Sequence, residues 1–352
     1  MFLYHYQIPI FGHPAWLADI AKFGWTGVDL FFVLSGFLIS SQLFSQIKKR
    51  GNISYKEFFL KRFFRIIPAF LAVVSIYICF PSFHEKESLP PLWKFLTFTQ
   101  NLGLDIQHAG TFSHAWSLCV EEHFYFLFPI ILLLLISTKF FKRAYWLIIL
   151  LFVLGFLIRN YSWHNFYVPN IDKENSWMFW YKYIYYPTYN RLDGLLAGVS
   201  IAALYQFLPN TFSKISNFGN LLVLFSLITL TGAYFLCYEE RSYYATVFGF
   251  PLVAIGYGLM VIAAISPTSF LYKWNSKTTT FIATLSFAIY LTHKGVIHIT
   301  QKIFNTVDEN SNAMLLICIV SCLLVALLLN LLIEKPFMKL RDKIVKTTNN
   351  NA

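Results

Sequence analysis

The stretch HAWSLCVEEHFYFLFPIILLLLI, residues 114–136, decides the fold. As a helix it would rise roughly 35 Å at about 1.5 Å per residue, enough to cross a hydrocarbon layer of about 30 Å. Its second half is almost entirely Phe, Leu and Ile, as a lipid-facing surface requires. Its first half carries His114, Ser117, Glu121, Glu122 and Tyr125. Steps of three, four and four from His114 through Ser117 and Glu121 to Tyr125 place these four on one helical face. Ionisable groups at that depth are costly and are kept for function or pairing. The segment therefore reads as a membrane helix with a polar face turned toward other helices.

Eight further apolar runs of membrane-spanning character lie around it, at about 25–46, 66–83, 144–158, 191–208, 219–237, 247–265, 281–300 and 314–333. Residues 1–10 form an apolar stub too short to cross a bilayer alone. It reads as part of a first helix or as a start assigned too far downstream. The fold class is all-α, a polytopic helical bundle of about ten transmembrane helices with the first truncated. One domain covers residues 1–346, followed by a polar tail at 347–352. Composition agrees, with 57% hydrophobic, 19% aromatic and only 13% charged residues among 352, against about 25% charged in soluble domains. A water-soluble globule is excluded.

The formal charge is +11. No groove-reading or single-strand-binding segment accompanies it, so the partner is a lipid bilayer and not nucleic acid. Of the 28 basic residues, 18 fall on alternate loops. The positive-inside rule assigns those loops, and both termini, to the cytoplasm of a multi-pass protein. The outer loops at about 84–113 and 159–190 are rich in aromatics, including Trp93, Trp163, Trp177 and Trp180. Cys79, Cys119, Cys237, Cys318 and Cys322 lie in or beside apolar runs without metal-ligand spacing, and read as small buried hydrophobes. No metal is expected, and no cleavable signal peptide.

The polar residues within the spans point to function. They are His5 in the stub, Asp29, the group His114, Ser117, Glu121 and Glu122, then Arg191 with Asp193, and finally His293. Ser286, Tyr290 and His293 share a face on their own helix. Two helices with polar stripes suggest one interior cavity, in the middle or outer half of the membrane. Packing glue between helices is the plainer alternative, strongest for Arg191 beside Asp193. Arg62 and Arg65, at i and i+3 on the cytoplasmic side, present two guanidinium forks suited to phosphate oxygens; alone, they read more readily as positive-inside anchors.

Six segments resemble, in order, the signatures of the acyltransferase family 3 membrane proteins. They are GVDLFFVLSGFLIS (27–40), RFFRIIP (62–68), HAWSLCVEEHFYFLFP (114–129), RLDGLLAG (191–198), LSFAIYLTH (285–293) and IEKP (333–336). The resemblance implies a ten-helix enzyme of the bacterial inner membrane. Such an enzyme moves an acyl group, commonly acetyl, from cytoplasmic acyl-CoA to a hydroxyl of an envelope glycan such as lipopolysaccharide or exopolysaccharide. It maps the family's first-helix histidine onto His5 and its paired arginines onto Arg62 and Arg65. The absence of an SGNH hydrolase-like domain after the last span points to the membrane-only branch.

Acyl transfer to a hydroxyl needs a base, a group to orient it, and donors for the oxyanion. His5 is the expected base, oriented by Glu121 or Glu122. His293 and Tyr290 are expected in the acceptor pocket or as oxyanion donors, with Asp29, His114, Ser117 and Arg191 as further substrate contacts. Glu122 has a structural alternative as a partner of Arg191. A Ser117 or Ser35 nucleophile is a weaker variant, and Ser35-Gly36 also reads as a close-packing spot. His13 is expected to be a dispensable loop histidine. The competing functions are a glycan or small-molecule transporter and a non-catalytic scaffold.

Overall fold

The computed structural model describes residues 1–6 and 15–350 and assigns no strand among them. His13 and residues 351–352 lie outside the described residues, as does most of the second half of the stub. The long helices follow the apolar runs. After α1 (Phe2–Tyr6) come α2 (Gly27–Arg50), α3 (Tyr55–Cys79), α4 (Trp116–Ser137), α5 (Tyr145–Ser162), α6 (Asp193–Phe207) and α7 (Gly219–Leu236). They continue with α8 (Phe250–Ala264), α9 (Lys277–Ile303), α10 (Asn312–Leu329) and α11 (Lys335–Asn350). Among the described residues eight helices are long and apolar enough to cross a membrane, or nine if α6 and the helix Pro209–Ser216, bent at 108°, form one span. The chain is a multi-pass membrane protein, and among the described residues the expected first crossing is represented by the five residues of α1. The expected polar tail begins as a continuation of α11 to Asn350.

Local chemistry explains the helix ends. Gly51, at φ 72°, closes α2 through its N–H to the Ile47 carbonyl, a left-handed position that favours glycine. Ser276 and Ser311 cap α9 and α10 by accepting from the Thr279 and Met314 amides. Leu133, Leu134, Leu150, Leu157, Leu224 and Leu324 stay exposed and form part of the lipid-facing belt.

α2 and α6 run side by side in the same direction and form the tightest crossing. A Cβ on Gly36 would lie 2.3 Å from the Leu195 carbonyl oxygen, and one on Gly198 would lie 2.3 Å from that of Val33. Only glycine lets these backbones approach so closely. At the far end of the crossing, Lys48 donates to the Gln206 carbonyl at 2.8 Å. This basic end also carries Arg62 and Arg65. The opposite end is aromatic, where Trp25, Trp116, Trp163, Trp180, Tyr185 and Phe250 share one buried cluster.

Candidate active site

Two hydrogen bonds and one small apolar cluster fix α1. The Met1 amino group donates to the Gly24 carbonyl at 3.0 Å, and the Tyr6 hydroxyl donates to the Glu309 carbonyl at 3.0 Å. Tyr6 packs with Val296, Ile297, Met314 and Cys318 of α9 and α10. This anchoring lays His5 against α9, with its Nδ1 2.6 Å from His293 Nε2. The two rings stack at 4.9 Å between centroids and 19° between planes. His114, just before α4, closes the group, its ring 4.8 Å from that of His293 and 5.9 Å from that of His5. Three histidines from segments far apart in sequence thus meet inside the bundle.

His114 is itself positioned by a strained neighbour. Phe112 adopts φ 58°, uncommon for a bulky side chain. Its N–H donates to Glu85 Oε1 at 3.0 Å, and its fully buried ring packs with Phe70, Tyr77 and Phe95. Glu85 also pairs with Lys294 at 3.2 Å, and Lys294 donates to Ser113 Oγ at 3.3 Å. Neither Glu85 nor Lys294 was expected from the sequence. Lys294 adjoins His293 in the chain, but Glu85 lies in a loop and carries no helical periodicity to mark it.

Ser117 and Tyr290 do meet, with their hydroxyl oxygens 2.6 Å apart. Tyr290 also donates to the backbone carbonyl of His114. A carbonyl can only accept, so the Tyr290 proton is committed there and Ser117 donates to Tyr290. Tyr290 therefore has no free proton for an oxyanion in this arrangement, and Ser117 has no base beside it. Ser117, Tyr290 and His293 line a cavity of about 270 Å³ whose other walls include Val28, Phe31, Ile282 and Ile289. Its chemistry is that of a small-ligand pocket, mainly apolar with a few convergent polar groups.

The polar face of α4 continues from this cavity toward the basic end. Tyr125 donates to Glu121 Oε2 at 3.2 Å and is bonded to Ser35. The Arg62 guanidinium carbon lies 5.5 Å from the centre of the Tyr125 ring. Glu121 Oε1, Glu122 Oε1 and Arg62 Nε are buried without a partner among the described residues. Arg62 is half-buried and Arg65 exposed. Two expectations change here. Glu121 bonds Tyr125, and neither it nor Glu122 orients His5. Seven residues along a helix separate Glu121 from His114, roughly 10 Å, and the polar partner beside the His5 ring is His293. Ser35 joins the polar track, whereas the close packing expected of Ser35-Gly36 belongs to Gly36.

Asp29 and Arg191, both expected to touch substrate, are bonded to each other. Both Asp29 oxygens accept from Arg191 Nη2, at 2.9 and 3.0 Å. The guanidinium is enclosed by the rings of Phe250, Tyr185, Trp116 and Trp25, at 4.0 to 5.9 Å. Asp193 pairs not with neighbouring Arg191 but with Arg159 of α5, at 2.6 and 3.2 Å. These are buried ties, α2 to the start of α6 and α5 to α6. The Glu122–Arg191 alternative also falls, because Asp29 fills that role.

The sequence matches the family described as an acyltransferase domain over residues 1–331. It is 29% identical over 316 residues to the peptidoglycan O-acetyltransferase OatA of Listeria monocytogenes, covering 82% of this chain and 47% of the relative. A Staphylococcus aureus (strain COL) relative, whose name provisionally assigns O-acetyltransferase activity, is 27% identical over 305 residues, covering 80% of this chain and 47% of its own. An uncharacterized Haemophilus influenzae protein is 30% identical over 225 residues, covering 59% of this chain and 86% of its own. The chain spans about half the length of the Listeria and Staphylococcus relatives. No solved structure matches it. With the match running through the α1 histidine, the Arg62–Arg65 segment and the polar stripes of α4 and α9, the chain belongs to the acyltransferase 3 family of membrane proteins.

Proposed function

We propose that this protein is a membrane O-acyltransferase that moves an acyl group, acetyl in the simplest case, from cytoplasmic acyl-CoA to a hydroxyl of an envelope glycan. The observation that carries this reading is the His5–His293–His114 cluster, which meets a cavity through His293 and is joined by the polar face of α4 to an arginine pair at the basic end. By the positive-inside rule the basic end, with the C-terminal helix α11, faces the cytoplasm of the bacterial inner membrane, whereas Met1 lies toward the aromatic end, against Gly24. Arg62 and Arg65 bind the phosphates of acyl-CoA. His5 takes the acceptor's proton as its oxygen attacks the thioester carbon. The C–S bond then breaks, and the departing thiolate receives the proton to leave as free coenzyme A thiol. Ser117 Oγ, whose lone pairs remain available beside the cavity, accepts a hydrogen bond from substrate. The acceptor is a glycan of the envelope: lipopolysaccharide, exopolysaccharide or, as the name of the Listeria relative suggests, peptidoglycan.

The test is a mass comparison of all three glycans from cells with and without the protein. The reading expects an ester, 42 mass units for acetyl, that disappears on deletion and returns with the gene. An unchanged ester content together with an altered amount of glycan at the surface would favour an exporter instead.

A further inference from the structure

His293 makes three contacts at its ring, and together they determine which nitrogen carries which proton. Its Nδ1 lies 3.0 Å from the Ile289 carbonyl and 2.8 Å from that of Tyr290. Both partners can only accept, so Nδ1 carries the hydrogen, and in the neutral ring Nε2 holds the lone pair. His5 Nδ1, at 2.6 Å, must then be the donor. The neutral His5 ring has only one hydrogen to give, so its own lone pair lies on Nε2. Among the described residues Nε2 makes no hydrogen bond.

From this geometry we infer that His293 is the positioning residue that locks His5 in the one tautomer able to act as base, with the working lone pair on His5 Nε2. The inference rests on the O-acyltransferase reading. It assigns the two histidines roles that cannot be exchanged. His293 Nε2 is occupied by His5, and its Nδ1–H is held by two carbonyls of its own helix, so it has no lone pair for substrate. When His5 Nε2 accepts the acceptor's proton, Nδ1–H still donates to His293. The imidazolium formed is thereby stabilised, and the proton is returned to the leaving thiolate. His114 differs, since its Nε2 lies 3.3 Å from the Leu291 carbonyl and its buried Nδ1 has no partner among the described residues. That lone pair touches neither His5 nor His293, so the lock consists of two rings.

The experiment compares His293→Gln, His293→Asn and His293→Leu with the wild type and with His5→Ala. The readout is membrane abundance together with kcat and KM for acetyl-CoA and acceptor. Gln can place an amide oxygen near the position of Nε2 and accept from His5. Asn can reach the helix carbonyls but not His5, and Leu does neither. The inference expects His293→Gln to retain activity within about tenfold, and His293→Asn and His293→Leu to lose about 10²–10⁴-fold in kcat with KM unchanged. Comparable activity in the Gln and Asn variants, or a loss confined to KM, would overturn it. If the Leu variant fails to accumulate, the Gln and Asn pair still decides. His5→Ala separates the two claims: full activity there would sink the role of His5 in the proposed function, whereas an inactive His5→Ala beside an active His293→Asn would sink only the lock.

Discussion

At the scale of single residues, the site is a set of partly satisfied polar groups in an apolar bundle. His5→Ala is expected to insert normally and to lose about 10²–10⁴-fold in transfer, the usual worth of a positioned general base; rates normalised to membrane abundance check it. In the proposed function Arg62 and Arg65 hold the donor. Arg62 has a buried Nε without a partner among the described residues and sits against the Tyr125 ring. Its replacement by Lys, which cannot reproduce a planar fork, should raise the KM for acyl-CoA with little change in acceptor KM, and Arg65→Ala should do the same more weakly. A donor KM unchanged from the wild type in both variants would make the pair a topology anchor. The sequence showed His5, Ser117, Tyr290 and His293 as members of polar faces, because helical spacing is visible in one dimension. It did not show which face meets which. His293 therefore occupies the place beside His5 that was expected for a glutamate, and Asp29 and Arg191 were assigned to substrate when they belong to each other.

At the scale of helices, the site depends on α6 being held tightly against α2 and α5. Gly198→Val would push a branched side chain into backbone atoms of α2, 2.3 Å from the Val33 oxygen already at Cβ. A loss of about 1–3 kcal/mol is expected from such overpacking, read as a lower midpoint of thermal inactivation in detergent. Arg159→Met would leave Asp193 buried and unpaired, at a cost of about 3–5 kcal/mol. Adding Asp193→Asn should recover part of that loss, which a double-mutant cycle would detect. Spans were legible because a bilayer demands about twenty apolar residues. The end of α5 was not. Arg159 and Asn160 read as the start of a loop, yet the helical stretch continues through them to Asn170, since the buried pair with Asp193 lets a charge remain inside. The bend after Phe207 was equally hidden.

At the scale of the whole molecule, polar groups follow one face of α4 from the histidine cluster to Arg62, while aromatics close the opposite end. The proposed function uses this track to bring a donor held at one side of the membrane to an acceptor reached from the other. The central claim is that this track carries acyl transfer and ends at His5. The most direct measurement uses vesicles containing the full chain, supplied with acetyl-CoA labelled in its acetyl group on the side of Arg62 and with extracted envelope glycan. Alkali-labile label should accumulate in the glycan with the wild-type protein and fall by about 10²–10⁴-fold with His5→Ala. Equal labelling by both proteins, or none by the wild type with any of the three glycans, would contradict the account.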